Sequence, residues 1–198
     1  MKNFMYILLI MMFVTSLQAQ DRKTSPATVE KVSNVPVFIF SVPVDEYEIV
    51  GKAVTAGHII KISIDETSTV RSKTEKLVNK AVERSENGKV PAFDAIIIDL
   101  DKEKTLAIKF KDGVSQKAKV LTYETVPVFL FSLPDNDYDV IDTLPADYSL
   151  RAQRGLLLDK IESMINRTLD KEENGEVDNF DAVIINPEDL SETLIRFK

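Results

Sequence analysis

The chain lacks cysteine and tryptophan, and it has a single histidine and only six glycines among its 198 residues. Without cysteine it can form no disulfide, no thiolate nucleophile and no thiolate metal site. The six glycines are too dispersed to form the glycine-rich loop that cradles a phosphate group. Stability must therefore come from hydrophobic packing, and the sequence contains no phosphate-binding signature.

Positive charge is also in deficit. The 25 Lys and Arg residues stand against 32 Asp and Glu residues, which gives a formal net charge of −7 at pH 7. Nucleic-acid binding depends on clustered basic side chains that displace phosphate counterions. The charge balance therefore argues against nucleic acid as a partner.

The first 19 residues have the three parts of a secretory signal peptide. Lys2 supplies the charged start, Met5 to Val14 the apolar run, and Ala19 the small residue at the cleavage site. The run is shorter than the roughly 20 residues of a membrane-spanning helix, and no cysteine follows the cut, which excludes a lipid anchor. We predict cleavage after Ala19 and a periplasmic or secreted protein that is not integral to the membrane. An uncleaved amphipathic anchor is the alternative.

One apolar sequence occurs twice, at Phe93–Ile98 and at Phe180–Ile185. Its consecutive β-branched residues predict a strand that is buried on both faces. A second pair, Val35–Pro43 and Val126–Pro134, matches at a spacing of 91 residues, whereas the first pair matches at 87. A net deletion of four residues before the second helix reconciles the two spacings. The repetition predicts a tandem duplication.

The duplication predicts an α+β fold made of two β-β-(β)-α-β-β units, at residues 35–111 and 126–198. Each unit is expected to be a small, mostly antiparallel sheet with one helix on a face. A pseudo-twofold axis would relate the units, with sheets face to face or side by side, helices outermost, and each unit covering the other's apolar surface. Residues 20–34 are predicted to be a flexible lead-in, and residues 112–125 a mobile connector.

Apolar spacing places one helix in each unit, at Ser68–Asn87 and at about Leu150–Glu173. Gly88 is predicted to end the first helix, because glycine readily takes the left-handed conformation that closes a helix. Tyr47–Thr55 and His58–Ile64 are predicted to form a hairpin in the first unit. The deletion falls on this hairpin, so we expect the second unit to lack it.

Asp94 and Asp181 stand at the starts of the two repeated strands. In one interpretation they pair across the symmetry axis as the two carboxylates of a hydrolase, with unequal pKa values. In the other, each accepts backbone N–H groups and fixes the register of its strand. Duplication copies structural residues as readily as catalytic ones, and neither aspartate lies in the Asp-Thr/Ser-Gly context of aspartic proteases. The sequence therefore favours the structural interpretation.

Other charged segments offer weaker candidates. The acidic loops Asp99–Glu103 and Asp135–Asp139 present alternate carboxylates that suit Ca²⁺ or a small ligand, but neither has the distal glutamate of a calcium loop. His58 has no nucleophile pattern beside it and is expected on the surface. A local basic stretch contains Lys102, Lys104, Lys109, Lys111, Lys117 and Lys119. Protection of an edge strand over residues 105–111 explains the first four, and a docking patch for an acidic partner is the alternative. We assign no catalytic, cofactor-binding or metal-binding residue.

A resemblance to small bacterial envelope domains rests on two segments in each unit: Tyr47–Ile49 and Asp94–Ile97 in the first, Tyr138–Val140 and Asp181–Ile184 in the second. These segments are similar to those of a heavy-metal-binding domain family and of periplasmic stress-sensing lipoprotein folds. The chain departs from both families in having a phenylalanine before the repeated aspartate, and it lacks the cysteines of the stress sensors. The resemblance implies an α/β envelope module without established catalysis, and it carries over no site residue.

Together these features predict an exported, non-catalytic binding or assembly module of the bacterial cell envelope, with a protein or glycan of the envelope as its partner. Two other functional classes remain as alternatives. One is a carboxylate-dependent hydrolase that uses Asp94 and Asp181. The other is weak metal or small-ligand binding by the acidic loops.

Overall fold

The computed structural model describes residues 22–54, 69–146 and 156–198. Over these ranges the chain forms two helices and fourteen strands, most of which pair antiparallel, so the predicted α+β class is confirmed. Neither of the two helices described is long and apolar enough to cross a membrane. The elements are β1 (Pro26–Val29), β2 (Lys31–Val32), β3 (Val35–Ile39), β4 (Ser41–Pro43), β5 (Tyr47–Lys52), α1 (Val70–Glu86), β6 (Ala95–Asp99), β7 (Lys104–Phe110), β8 (Lys117–Val120), β9 (Thr122–Tyr123), β10 (Val126–Leu130), β11 (Ser132–Pro134), β12 (Tyr138–Leu144), α2 (Leu157–Glu173), β13 (Ala182–Ile185) and β14 (Glu192–Phe197).

The strands form two sheets. The larger sheet has the order β12-β14-β13-β10-β3-β6-β7-β5, with β2 added to β3 and β9 added to β10. The β3–β6 and β10–β13 pairs are parallel, and the others are antiparallel. Its two halves meet where Ile39 of β3 pairs with Leu130 of β10. The smaller sheet has the order β11-β1-β8-β4, and Ala27 pairs with Ala118 at its centre.

The larger sheet is covered on both faces. Helices α1 and α2 pack on one face, where they share a core with Val37 and Ile96. The smaller sheet packs on the other face, against Phe38 and Phe129. Burial on both sides explains the uninterrupted apolar sequences of β3, β6, β10 and β13, as the sequence predicts. The cover of the second face differs from the expected one, because it is a separate small sheet.

Two strands of that small sheet lie in the segments that the sequence predicts to be a flexible lead-in and a mobile connector, the second with at most a short extended piece at Val120 and Leu121. The lead-in, residues 20–34, contains β1 and β2, and the connector, residues 112–125, contains β8 and β9. The structure therefore differs from the expected flexible lead-in and mobile connector. Ala27 and Ala118 are fully buried, but these strands are four residues long and carry little apolar signal. Pairing with partners distant in the sequence gives them their structure.

Both predicted helices are present. Helix α1 begins with a reciprocal cap, in which Ser72 N donates to Thr69 Oγ1 at 3.0 Å and Thr69 N donates to Ser72 Oγ at 3.1 Å. It ends before Gly88, which has a φ of +67° as predicted. The expected start of the second helix before Leu156 and the expected hairpin strand His58–Ile64 lie outside the described residues.

The N-terminal end of the described chain is fixed against α2 by an arrangement that we call the N-terminal clamp. The guanidinium of Arg22 lies 4.1 Å from the ring centroid of Phe180. It also donates hydrogen bonds to the carboxylate of Glu172 and to the carbonyl of Phe180. The side chains of Arg22 and Glu172 are only 4% and 11% exposed. The clamp is therefore a buried ion pair.

Candidate functional site

Asp94 and Asp181 hold their strands in register. One carboxylate oxygen of Asp94 accepts the backbone N–H of Phe110 at 2.9 Å, and Asp181 accepts that of Phe197 at the same distance. The backbone N–H of each aspartate donates to a carbonyl of the same neighbouring strand, β7 or β14. Both carboxylates thus have the structural role that the sequence favours.

The two aspartates are also far apart. β3 and β10 lie between β6 and β13, and the two halves of the larger sheet run antiparallel, so Asp94 and Asp181 stand at opposite ends of it. Strand spacing and rise place them roughly 30 Å apart. A pair of hydrolytic carboxylates lies within about 5–10 Å. The hydrolase alternative that pairs Asp94 with Asp181 is therefore wrong.

In each acidic loop, at least one carboxylate is already bound by side chains of the same chain. Asp99 accepts hydrogen bonds from the backbone N–H and the Nζ of Lys102, at 2.9 and 3.0 Å. Burial alone would raise the pKa of Asp99, but these bonds and the nearby lysine charges lower it. Hydrogen bonds from Lys117 and Thr28 lower the pKa of Asp135. Within the described ranges, no group of three or more histidine or carboxylate side chains is placed to hold a metal ion.

The lysines between 102 and 119 do not form one patch. Lys104 begins β7 and Lys111 follows its end, which separates them by roughly 23 Å at the rise of a strand. Strand β7 also has neighbours on both sides, β6 and β5. The expected edge strand is therefore wrong, and edge protection does not explain these lysines. His58 lies outside the described residues.

The chain turns from the larger to the smaller sheet at two strained corners. Phe40 connects β3 to β4 and Phe131 connects β10 to β11, and each has a φ of +54°. Such a conformation is rare for a bulky residue and costs of order 1–3 kcal/mol. The next residues, Ser41 and Ser132, are buried, and their hydroxyl groups have no hydrogen-bond partner among the described residues. Backbone strain and unpaired polar groups therefore coincide at both corners.

A small cavity opens at the first corner, and we call it the corner pocket. Phe40, Ser41, Leu100, Asp101, Leu121 and Leu158 are among the residues that line its volume of about 100 Å³. Sites that enclose whole small molecules usually measure about 300–1,000 Å³. The corner pocket therefore fits one side chain or a group of similar size.

The second corner is closed by an arginine of α1. The guanidinium of Arg71 lies 5.1 Å from the ring centroid of Phe131. Its Nη2 and Nε atoms are 2.8 and 2.7 Å from the carboxylates of Glu30 and Glu188. The backbone N–H of Arg71 donates to the carbonyl of Pro187 at 3.1 Å. Here the side chain fills the corner and both of its charged partners come from the same chain.

The residues that differ between the corners occupy matching positions of the two repeats. At the repeat spacings of 87 and 91, Leu158 stands where the other half has Arg71, and Leu121 stands where it has Glu30. Asp101 keeps a carboxylate at the position of Glu188. The first corner therefore has two leucines and one carboxylate in place of a charged network. Sequence reasoning missed this site, although the replacement of a charged residue by leucine at two positions is visible when the repeated segments are aligned.

A second, larger groove of about 440 Å³ lies between the β4–β5 turn and the start of the connector. Val44 and Val114 stand exposed beside it. Two of its carboxylates are already engaged, because Asp45 accepts a hydrogen bond from Ser115 and Glu46 pairs with Lys111. The groove therefore offers a weaker site than the corner pocket.

A buried polar group lies beneath α2. Glu192 is 1% exposed, and its Oε2 accepts a hydrogen bond from Thr168 Oγ1 at 2.8 Å. The other carboxylate oxygen is 3.6 Å from the guanidinium of Arg167. Burial raises the pKa of Glu192, and the hydrogen bond and Arg167 offset only part of that effect. In α2 itself, burial and the charge of Lys73 lower the pKa of Lys160.

The raised pKa of Glu192 predicts a pH-dependent loss of stability. Unfolded, this carboxyl ionises near its ordinary pKa of 4.5, whereas the folded protein holds its proton to higher pH. The contribution to stability therefore falls as the pH rises from the unfolded to the folded pKa, and is constant beyond it. Glu192→Gln cannot ionise, so we expect its unfolding free energy to rise relative to wild type between about pH 4 and pH 7. Urea unfolding of the variant and of wild type at both pH values measures the difference between their unfolding free energies. A difference that is the same at pH 4 and at pH 7 would contradict the prediction.

No protein-family model, curated protein or solved structure shows a significant match to this chain. The functional argument therefore depends on the geometry of the chain itself. The described feature with the properties of a binding site is the corner pocket, which combines an apolar cavity, a strained aromatic residue, an unpaired buried hydroxyl and a carboxylate.

Proposed function

We propose that the protein is an exported, non-catalytic binding module of the bacterial cell envelope, and that its binding site is the corner pocket. The observation that carries this proposal is the difference between the two corners. One is filled by Arg71 and its two carboxylate partners, whereas the other is an open apolar cavity. Export is proposed from the signal-peptide pattern of residues 1–19.

The comparison of the corners rests on a second proposal, that the chain arose by tandem duplication and has a pseudo-twofold axis. Two strand pairs support it. Ile39 pairs with Leu130 in the larger sheet, and Ala27 pairs with Ala118 in the smaller one. Both pairs join residues that are 91 positions apart, the spacing of the matching sequence segments. An axis that passes between the members of both pairs would relate β1 to β8, β3 to β10 and β4 to β11.

Duplication begins with two identical corners, so the differences between them arose later. The second corner satisfies its charges internally. The first leaves Leu121 43% exposed beside the cavity, where solvent contact with apolar surface is unfavourable. A bound partner would cover this leucine and fill the cavity. We therefore place recognition at the first corner and assign a structural role to the second.

Capture from isolated envelopes tests the proposed function. The mature protein, tagged at its C-terminus, is expected to retain an envelope component reproducibly. Leu158→Arg should abolish retention, because its side chain would fill the corner pocket as Arg71 fills the second corner. Leu133→Arg makes the same substitution at a leucine that is 51% exposed and does not line the pocket, so it should retain the component. Equal retention by both variants, or no retention by wild type, would refute the proposal.

A further inference from the structure

We infer that the corner pocket receives an arginine side chain of a partner polypeptide, with Asp101 as the carboxylate that pairs with the guanidinium. This inference depends on the proposed function, since it specifies the ligand of the same pocket. At the second corner the chain supplies its own example of such a contact.

At the second corner the guanidinium of Arg71 lies over the ring of Phe131 and pairs with Glu188 through Nε, at 2.7 Å. A guanidinium is planar and weakly hydrated, so it packs on an aromatic face while its N–H groups bind carboxylate oxygens. These are the contacts that a corner of this shape makes with an arginine.

The first corner retains the two groups that the contact needs. Phe40 has the same strained backbone conformation as Phe131 and lines the cavity. Asp101 takes the position of Glu188 and is exposed beside the pocket. It forms no hydrogen bond or ion pair with another described residue. The charge of Lys102 lies near it, but that ammonium group is bound to the adjacent Asp99. Asp101 is therefore the carboxylate available to a ligand.

The residues that replace Arg71 and Glu30 suit the rest of an arginine side chain. Leu158 and Leu121 give the pocket apolar walls, against which the methylene groups of arginine can pack. Leu121 replaces Glu30, and Asp99, which also lines the pocket, is bound by Lys102, so Asp101 remains to pair with the guanidinium. With a volume of about 100 Å³, the pocket can enclose a side chain and leaves the backbone that carries it outside. The net charge of −7 also favours approach of a basic partner.

Peptide titration tests the inference. The probe is the acetylated tripeptide Gly-Arg-Gly amide, and its control contains citrulline, a neutral side chain of nearly the same shape. Binding is followed by NMR chemical shifts of the full mature protein. We expect the arginine peptide to bind at least about tenfold more tightly than the citrulline peptide, since tenfold in Kd is about 1.4 kcal/mol, which one hydrogen bond between charged groups can supply. Free arginine should bind more weakly than the tripeptide, because the tripeptide extends over the rim of the pocket.

Three variants locate the site. Leu158→Arg should abolish binding, because it supplies an internal competitor equivalent to Arg71 of the second corner. Asp101→Asn, a substitution at an exposed position, should weaken binding of the arginine peptide at least about tenfold and leave the citrulline peptide unaffected. Leu133→Arg should bind like wild type. Equal binding of the two peptides, unchanged binding in Asp101→Asn or Leu158→Arg, or equally tight binding of free arginine would overturn the inference.

The two proposals can fail separately. If Leu158→Arg abolishes envelope capture but the peptides bind equally, the pocket is a binding site and the assignment of arginine is wrong. If envelope capture is insensitive to Leu158→Arg, the proposed function is wrong whatever the peptides do.

Discussion

Replacement of Arg22 by alanine is expected to lower the free energy of unfolding by about 3–5 kcal/mol, the usual cost of removing one partner of a buried ion pair. The variant leaves Glu172, whose side chain is 11% exposed, without its cationic partner. It also removes the cover from the ring of Phe180 and a hydrogen-bond donor from its carbonyl. Urea unfolding of the mature protein at neutral pH measures the change.

A double variant separates the ion pair from the packing around it. Arg22→Ala combined with Glu172→Ala removes both charges, so it should regain part of the stability that the single variant loses. The repeat spacings of 91 and 87 residues place Gly113 and Ser85 at the corresponding positions, so under the proposed duplication the other half lacks the pair. A loss below about 1 kcal/mol in Arg22→Ala, as for an exposed ion pair, would show that the clamp contributes little.

The second large effect is expected at Thr168. Thr168→Val keeps the shape of the side chain but removes the hydroxyl that donates to Glu192 at 2.8 Å. The buried carboxylate then has only the more distant Arg167, so we expect a loss of about 1.5–3 kcal/mol in the free energy of unfolding at neutral pH. The loss should be smaller at acidic pH, where Glu192 is protonated and its charge no longer needs the donor.

The first half of the chain supplies the control for this prediction. Ala81 and Thr105 stand where the second half has Thr168 and Glu192. Thr168→Ala combined with Glu192→Thr would transplant that pair and remove the buried charge. We expect it to be more stable than Thr168→Val at neutral pH, since it removes the buried charge and leaves only an unpaired threonine hydroxyl, as at Thr105. A double variant no more stable than Thr168→Val would contradict this explanation.

The sequence predicts those parts of the fold whose signals are local. Thr69 and Ser72 cap a helix with the expected apolar stripe, and the β-branched sequence after Asp94 forms a strand buried on both faces. The role of Asp94 was also predictable, because a carboxylate before a strand commonly accepts nearby backbone N–H groups.

The parts of the structure that the sequence does not predict depend on contacts between residues that are far apart in the chain. Ala27 and Ala118 give no strong strand signal, yet they pair at the centre of a sheet that covers one face of the larger sheet. Phe40 favours an extended backbone, so its positive φ and the pocket beside it could not be anticipated. The substitution of Leu158 for Arg71 is visible in the sequence, but its meaning appears only when both corners are known.

The pairing of β1 has a consequence for how the protein is made. This strand, near the beginning of the described chain, is hydrogen-bonded on one side to β8 and on the other to β11. Its neighbours are therefore synthesised roughly 90 and 105 residues later. Contacts of such long range are slow to form. If the chain crosses a membrane as proposed, its first half cannot complete its core until the second half has followed. A core that is completed this late leaves the precursor extended while it passes through a translocation channel.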